Sequence, residues 1–373
     1  MNRPSFSWIP VLLWALLLAS VSGEGRAQDA SATDFAPHGE VRGYVFGDYF
    51  YKIAGDTASW GNSQYADTEE GMHGGELRRL YLGYDYFITP DVSTRVLLEA
   101  NDGTTFANGS YGVRVKLGYL SWAQPLGVPV TVNVGLAPTP IFTFPEKTWG
   151  YRSIEKEVLD ARGFGSSTDQ GVLVEGSTGS QGGYRLMVAG NSGTKPDTDP
   201  HLGVYGSVFQ RVFGDRLSLE VMGSHLPRRG DRTRTIGRLF AGYEVGAVTF
   251  GVEMAGIYEQ APAELGAIPG TEMTRVLVST FSSIALRRTG PAVKAFARYD
   301  FFDPDLGFEI GRGYTSPDPF YTEHLVLLGL DIAPHPRVHV IPNLWINAYR
   351  ARGNTSDRTP DVVPRVTFYF IYN

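Results

Sequence analysis

Charged residues recur at alternate positions within otherwise apolar segments of this 373-residue sequence. Arg79 and Asp85 occupy one such segment, and Arg95 and Glu99 occupy the next. Because alternate residues of a β-strand share a face, these charges predict a polar face that can contact water and ions. Bases and acids balance on this face, which predicts weak selection between cations and anions. Its basic members are Arg42, Arg79, Arg95, Arg114, Lys116, Arg185, Arg238, Lys294, Arg298 and Arg365, and its acidic members are Asp48, Asp85, Glu99, Asp169, Glu175, Glu220, Glu244, Glu253, Asp300 and Asp331.

A catalytic interpretation rests on Ser224 and His225, which are adjacent in the stretch GSHLP. Neighbours on a strand point to opposite faces, so these two side chains cannot share a proton. No set of nucleophile, base and orienting residue can be assembled without an unidentified cross-strand partner. The sequence therefore predicts that the protein is not an enzyme, with a hydrolase as the alternative.

A cation site would need oxygen ligands at regular spacing. Asp303, Asp305 and Glu309 have the alternate spacing of a calcium loop, but the rest of the calcium-loop pattern is missing. We therefore favour a polar surface loop here and expect no metal and no other cofactor. The chain has no cysteine, which excludes disulfides, thiolate catalysis and cysteine metal ligands.

Segments of about ten alternating residues, separated by turn residues, must position these side chains. They run from Val41–Ile53 to Arg365–Asn373 and number about sixteen, with Arg238–Val245 as the tenth. Tight turns such as Thr89-Pro90-Asp91 alternate with long links such as Ala54–Glu76. This pattern predicts an all-β fold, a transmembrane antiparallel β-barrel with short periplasmic turns and long extracellular loops.

The second face of these segments is aliphatic and ends in tyrosine, as a lipid-facing band with an aromatic girdle requires. The last segment carries Val366, Phe368, Phe370 and Tyr372 on one face. Such a terminal strand must pair on both edges, which a closed barrel provides. A soluble sandwich would explain the alternation, but not the tyrosine ends and the alternating link lengths together. Three further runs are Leu80, Leu82, Tyr84 and Tyr86; Val113, Val115, Leu117 and Tyr119; and Val293, Ala295, Ala297 and Tyr299.

The N-terminus is typical of an export signal. Arg3 precedes an apolar stretch from Trp8 to Val21 that is too short to span a bilayer comfortably. We predict a signal peptide at residues 1–27, cleaved after Gly23 or Ala27, a short periplasmic lead at 28–37 and an outer-membrane barrel at 38–373. The net charge of −6 argues against nucleic-acid binding. The expected partners are the lipid bilayer and lipopolysaccharide.

A cluster of arginines in a predicted extracellular loop is either solvated or bound to lipopolysaccharide phosphates. Its members are Arg228, Arg229, Arg232 and Arg234.

The stretch VNVGLAPTPIFTFPEKTWGYRSIEKEVLDARGFGSSTDQGVLVEG (Val132 to Gly176) resembles bacterial porins of the phosphate-selective porin O and P family. AFARYDFFDPD (Ala295 to Asp305) and LLGLDIAPHPRVHVIPNLW (Leu327 to Trp345) resemble later strands of that family. The resemblance implies a channel of about sixteen strands, generally a homotrimer, that ions and small hydrophilic solutes cross by passive diffusion.

Phosphate selectivity does not follow from the resemblance, because the balanced charges depart from the family's arginine ladder and lysine cluster. Anions such as phosphate remain among the candidate solutes. An outer-membrane barrel enzyme and a non-conducting structural barrel are the alternatives.

The longest link, residues 138–167, corresponds to the loop that folds inward in that family. Its apolar residues Ile141, Phe142 and Phe144 need a surface to pack on. A short helix is predicted from Ser153 to Asp160, with Ser153 as its cap. We expect this loop to face the barrel wall and to set the narrowest point of the channel. The predicted pore-lining and constriction residues are Arg79, Arg95, Arg114, Lys116, Glu146, Lys147, Arg152, Glu155, Lys294 and Arg298.

Overall fold

The computed structural model describes residues 35–57, 64–65, 67–287 and 290–372. The predicted signal peptide and residues 28–34 of the predicted lead lie outside this part of the chain. The described residues form sixteen β-strands: β1 (His38–Tyr51), β2 (His73–Phe87), β3 (Val92–Asn101), β4 (Arg114–Ala123), β5 (Val130–Pro138), β6 (Thr168–Ser177), β7 (Gly182–Ala189), β8 (Gly203–Val212), β9 (Leu217–Arg228), β10 (Arg232–Val245), β11 (Val248–Gln260), β12 (Glu272–Arg287), β13 (Ala292–Asp303), β14 (Tyr321–His335), β15 (Val338–Ala351) and β16 (Asp361–Tyr372).

Each strand pairs with its neighbours in sequence, and β16 also pairs with β1, so the sheet closes into a barrel. This closing pair runs from Gly43 opposite Tyr372 to Phe50 opposite Arg365, and it is antiparallel. The predicted fold class is therefore confirmed: the chain forms an all-β, antiparallel barrel of sixteen strands. Closure leaves no free edge on the terminal strand.

In the described ranges, helical structure is confined to the links between strands. Two α-helices, α1 (Thr143–Trp149) and α2 (Val158–Ala161), lie in the link between β5 and β6. Among the described residues, no helix is long and apolar enough to cross a membrane. Short 3-10 turns lie at Asp102–Thr104, Pro125–Gly127, Ala263–Leu265 and Asp318–Phe320.

The alternation of the strands separates two faces, as β16 shows. Phe368 and Phe370 are exposed on its outer face, while Arg365 and Thr367 are buried on its inner face. The predicted orientation of this strand is therefore confirmed. The exposed aliphatic and aromatic side chains form an outer surface suited to lipid, and the charged side chains point into the barrel.

Among the described residues the register shifts in four strand pairs, β1–β2, β3–β4, β12–β13 and β14–β15. The shifts in β2 and β4 change which of the predicted side chains point inward. In β2 the register shifts opposite Phe46 and Asp48, so Arg78 points inward as well as Arg79. In β4 the register shifts between the partners of Leu97 and Leu98. A bulge adds one residue to one strand and reverses the faces beyond it.

The bulge in β4 overturns one prediction about the lipid-facing surface. Tyr119 was expected to face lipid, but it lies opposite Arg95 and packs against a cluster of buried side chains inside the barrel. Leu120 and Trp122 are exposed on the outer face instead. The error arises because a one-residue shift moves every later side chain to the other face.

The arginine cluster does not occupy a long loop. Arg228 ends β9, and Arg232 and Arg234 lie in β10, which begins at Arg232 rather than at the predicted Arg238. Only residues 229–231 remain as a turn, with Asp231 in the left-handed conformation that such a turn requires. Short and long links therefore alternate less strictly along the chain than predicted, although the links at 52–72, 139–167 and 304–320 are long.

Candidate functional site

The link between β5 and β6 contains two helices whose ends follow from local sequence. Pro145 lies in the first turn of α1, where its missing N–H has no intrahelical partner to lose. The same helix ends at Gly150, which is left-handed with φ 70°. The carboxylate of Glu157 caps α2 by accepting hydrogen bonds from the backbone N–H groups of Leu159 and Asp160.

These helices correct the predicted helix at Ser153 to Asp160. The observed α2 starts later, at Val158, and Glu157 rather than Ser153 caps it. The sequence also contained a signal for α1, because Pro145 and Gly150 mark a helix start and end. The segment between the two helices, residues 150–157, is not helical, and backbone carbonyls of this segment face the wall.

Apolar side chains of this link pack against inward-pointing side chains of the strands. Tyr151 stacks on Phe296 with ring centroids 4.5 Å apart, and Trp149 lies 5.2 Å from Phe281. Such burial supplies the main favourable free energy for holding the link in place. One cluster includes Ile141, Phe142, Val158, Leu159 and Phe164 with Leu173, Met222, Ile236, Ile257 and Leu277, and the other includes Phe144, Trp149, Tyr151 and Ile154 with Phe240, Phe281, Phe296, Leu325 and Trp345.

Arginines of the wall donate hydrogen bonds to backbone carbonyls of the link. Arg78 donates to the carbonyls of Ser153 and Ile154 at 2.9 and 3.0 Å. Arg365 donates to the carbonyl of Ile154 at 2.8 Å. Irregular backbone has carbonyls without helix or sheet partners, and these donors satisfy them.

Two further arginines hold the link at its other parts. Arg298 donates to the carbonyl of Lys156 at 2.6 Å, and Arg238 donates to the carbonyl of Ile141. Each of these arginines also pairs with a wall carboxylate, Asp300 and Glu220 respectively. The contacts come from β10 and β13, so the link spans a broad part of the inner wall.

Glu155 lies between the link and the wall, and does not line the open lumen. Its carboxylate accepts a hydrogen bond from the indole N–H of Trp345 at 3.1 Å, and the residue is buried. Burial acts to raise the pKa of Glu155, but the positive charges of Arg78 and Arg365 outweigh it and leave the pKa lowered. Glu155 is therefore a docking residue of the link.

A cavity of about 400 Å³ remains between this link and the strands β1 and β16. Tyr44 and Tyr369 line it from the wall, and Glu146, Lys147 and Arg152 line it from the link. Burial raises the pKa of Glu146, although the adjacent Arg152 guanidinium opposes the shift. Sequence analysis missed the two tyrosines, because an aromatic side chain at an inward position resembles an ordinary packing residue.

Four of the predicted basic residues of the wall, Arg79, Arg95, Arg114 and Lys116, lie on β2 to β4. Arg95 makes two hydrogen bonds to Asp85, at 2.5 and 2.6 Å. Arg114 pairs with Glu99 at 2.8 Å, and Arg79 lies 3.4 Å from the same carboxylate. These bases are therefore compensated by acids of the wall rather than by acids of the link.

Lys116, like Arg298, is a predicted wall residue that contacts the link. Its ammonium group donates to the hydroxyl of Ser167 at 2.7 Å and lies 3.9 Å from Glu99. Lys294 is exposed near the start of β13, opposite Asp331, at the short-turn rim.

Within the link, Arg152 pairs with Glu146 and lies 3.1 Å from Asp160. Glu146 and Asp160 are thus neutralised within the link. Other charges of the link meet the wall: Glu155 lies beside Arg78 and Arg365, and Arg162 pairs with Glu323 of β14.

The residues considered for catalysis and calcium binding have other roles. Ser224 is buried inside the barrel, while His225 is exposed and 2.9 Å from the hydroxyl of Thr235. The two therefore point to opposite faces, as their adjacency predicts.

Asp303 pairs with Arg352 at 2.9 Å, and Asp305 pairs with Arg312 at 2.6 Å. Within the described part of the chain, no group of three His, Cys, Asp or Glu residues could hold a metal ion. The polar-loop interpretation of this segment fits these contacts.

Comparison of the fold with solved structures identifies several bacterial channels. The outer membrane channel DcaP of Acinetobacter baumannii superposes with a TM-score of 0.67 at 10% identity, covering 91% of this chain and 99% of that one. The chain has the fold of outer-membrane porins. The anion-selective porin from Comamonas acidovorans gives a TM-score of 0.60 at 12% identity, covering 90% of this chain and 100% of that one.

The in-vitro folded trimer form of OmpT, an outer membrane protein of Vibrio cholerae, gives a TM-score of 0.56 at 9% identity, covering 91% of this chain and 100% of that one. These identities are low, so the similarity concerns the fold. The chain matches no protein-family model and no curated protein sequence.

Proposed function

We propose that the protein is a porin of the bacterial outer membrane, a water-filled channel for passive diffusion of ions and small hydrophilic solutes. The observation that carries this proposal is the closed barrel of sixteen strands with an apolar outer face and a charged inner face. A barrel of this size is wide enough to enclose an aqueous lumen. The fold shared with DcaP and the Comamonas porin supports the same function.

The loop at residues 138–167 narrows this channel and sets its constriction. Support comes from its contacts with inward-pointing arginines of the wall and from the two apolar clusters that it shares with the strands. The cavity beside β1 and β16 is then the path that remains for solutes. Glu146, Lys147 and Arg152 line this path from the loop, facing Tyr44 and Tyr369.

The channel selects weakly between cations and anions, and anions such as phosphate are among its solutes. Bases of the wall such as Arg95 and Arg114 pair with Asp85 and Glu99, in keeping with the balance of charges that the sequence predicts. Paired charges produce smaller long-range potentials than unpaired charges of one sign.

The remaining features follow from export and membrane insertion. Residues 1–27 are removed as a signal peptide, the short-turn rim faces the periplasm, and the long links face outward near lipopolysaccharide. Three copies assemble into a homotrimer, a state that the trimer form of Vibrio cholerae OmpT shows for this fold.

Single-channel recording of the purified protein in planar bilayers tests the function. A porin produces discrete, ohmic current steps in simple salt solutions. Folded, inserted protein that gives no current steps would support the non-conducting structural barrel instead. Heat-modifiable migration on a gel establishes that the recorded protein is folded.

A further inference from the structure

The cavity beside the loop has the size of a small-molecule site. Its volume is about 400 Å³, and ligand sites in proteins usually occupy roughly 300–1,000 Å³. A solute that crosses the channel on the path proposed above must pass this cavity. The chemistry of its two walls therefore decides which solutes are retained there.

The wall on the barrel side is built from a continuous group of rings. The ring of Tyr44 lies 4.7 Å from Tyr81 and 6.2 Å from Phe46, while Tyr369 lies 6.2 Å from Phe46 and 5.3 Å from His339. Phe46 and Tyr81 are buried behind, whereas Tyr44 and Tyr369 stay partly exposed. An aromatic surface therefore lines this side of the cavity. Covering it with an apolar surface of a ligand is favourable, because both surfaces are then removed from water.

The wall on the loop side is polar and carries both kinds of hydrogen-bonding group. Glu146 supplies a carboxylate acceptor, Lys147 and Arg152 supply donors, and Thr143 supplies a hydroxyl. Arg152 is paired with Glu146 and Asp160, so this wall has no strong excess of one charge. A ligand with several hydroxyl groups matches such a wall, because each hydroxyl both donates and accepts.

We propose that this cavity is a transit binding site for sugars in ring form, from monosaccharides to disaccharides. The rings of Tyr44 and Tyr369 lie 6.0 Å apart and nearly perpendicular, at 86°. The flat face of C–H bonds of a pyranose ring therefore stacks on one of them while its edge contacts the other, and its hydroxyl groups face Glu146 and Lys147. An open-chain polyol has the same hydroxyl groups but no rigid flat face, so the aromatic wall discriminates against it. This inference rests on the proposed porin function, since the site lies in the channel.

The test compares glucose with sorbitol as blockers of the single-channel current. The protein is reconstituted in planar phosphatidylcholine bilayers, and the ion conductance is established first. Each compound is then added at the same concentrations, and its half-blocking concentration is measured. We expect glucose to block at a concentration lower than that of sorbitol by a factor of about three or more, a difference of about 0.65 kcal/mol.

Leucine substitutions distinguish the effect of a flat aromatic ring from that of an apolar side chain in general, because leucine is apolar but has no ring. Tyr369→Leu and Tyr44→Leu are each expected to remove the preference for glucose while leaving a conducting channel. Phe368→Leu is the matched control, because Phe368 is the neighbour of Tyr369 in β16 and is exposed on the outer face. This control is expected to keep the preference, and two separate tyrosine variants protect the test against one that does not fold.

Four results would overturn the proposal. Equal blocking by glucose and sorbitol in conducting wild-type channels overturns the sugar site alone and leaves the porin function standing. A preference that survives in both leucine variants shows that the aromatic wall is not its cause. Blocking by benzoate without blocking by glucose assigns the cavity to aromatic acids instead. Absence of any conductance from folded protein overturns the porin function, and the site with it.

Discussion

Two parts of the inner wall carry arginines at inward-pointing strand positions but use them differently. One part, the docked wall, is the part that the loop at residues 138–167 covers. There β10 and β13 place Arg238 and Arg298 under the loop, with side chains 0% and 2% exposed. The other part, the open wall, is formed by β3 and β4. It places Arg95 and Arg114 beside the lumen, with side chains 40% and 41% exposed. A basic residue at an inward position can therefore either hold a loop or contact the solvent of the channel.

The difference has an energetic consequence. A buried arginine without its partners, or a buried carboxylate without its arginine, is costly because the charge stays desolvated. On the open wall only the arginine of each pair is exposed, so its charge is partly screened by water, and Asp85 keeps a second arginine, Arg42, at 3.4 Å when Arg95 is removed. The docked wall should therefore govern folding and loop position, and the open wall should govern ion passage.

The largest expected effect is on stability. Arg238→Met leaves Glu220 and Glu253 buried without their guanidinium partner and should lower the free energy of unfolding by about 3–5 kcal/mol. Arg95→Met on the open wall should lower it by about 1 kcal/mol or less. Urea unfolding of both variants in the same detergent or lipid makes the comparison. Equal losses in the two variants would contradict the distinction between the walls.

The second expected effect is a pH dependence of loop docking. Glu157 of the loop and Glu253 of β11 each have a buried carboxylate oxygen with no hydrogen-bond partner among the described residues. Burial, and then the facing carboxylate of Glu253, raise the pKa of Glu157 well above its ordinary value. A proton on the carboxylate of Glu157 thus favours docking. The charged groups around Glu157 are Glu253, Arg238, Arg298 and Asp160.

The sign follows from linkage. Because the pKa of Glu157 is raised in the docked state, its stabilisation is complete below about pH 4.3, the ordinary glutamate value, and is lost as the pH rises through the raised pKa. Open-channel current noise should therefore increase with pH over this window. Glu253→Gln should flatten the dependence, while Asp85→Asn on the open wall should keep it. An unchanged slope in Glu253→Gln would show that this pair does not control docking.

The smallest expected effect is on ion selectivity. Reversal potentials in a salt gradient should give a permeability ratio below about ten, a discrimination of less than about 1.4 kcal/mol. Arg114→Gln, which removes a half-exposed charge from the open wall, should shift the ratio towards cations by about twofold. Arg298→Gln, which removes a buried charge, should shift it less. If Arg298→Gln shifted the ratio more than Arg114→Gln, the permeating ions would pass closer to the docked wall than to the open wall.

Much of the fold could be predicted from periodicity. The face of β16 that carries Phe368 and Phe370, and its pairing with β1, follow from alternation and from the cost of a free edge. Positions after a bulge could not be predicted. Arg78 and Tyr119 point inward because a single extra residue shifts the register, and no residue type in their neighbourhoods marks that shift.

The candidate site was less predictable than the fold. The composition of the loop showed that it needed a surface, but not which wall would supply it. Glu155 contacts Trp345 and lies beside Arg78 and Arg365, which are far from it in the chain, so these contacts depend on tertiary packing. The cavity lining at Tyr44 and Tyr369 likewise depends on where the loop leaves a space.

The central claim is that the loop docked on one wall sets the narrowest point of the channel. Deletion of residues 148–162 removes most of the contacts between the loop and the docked wall, and single-channel recording measures the result. A barrel that still assembles should show a clear rise in conductance and should admit solutes that the intact channel excludes. Unchanged conductance from a correctly assembled barrel would contradict the account and place the constriction elsewhere.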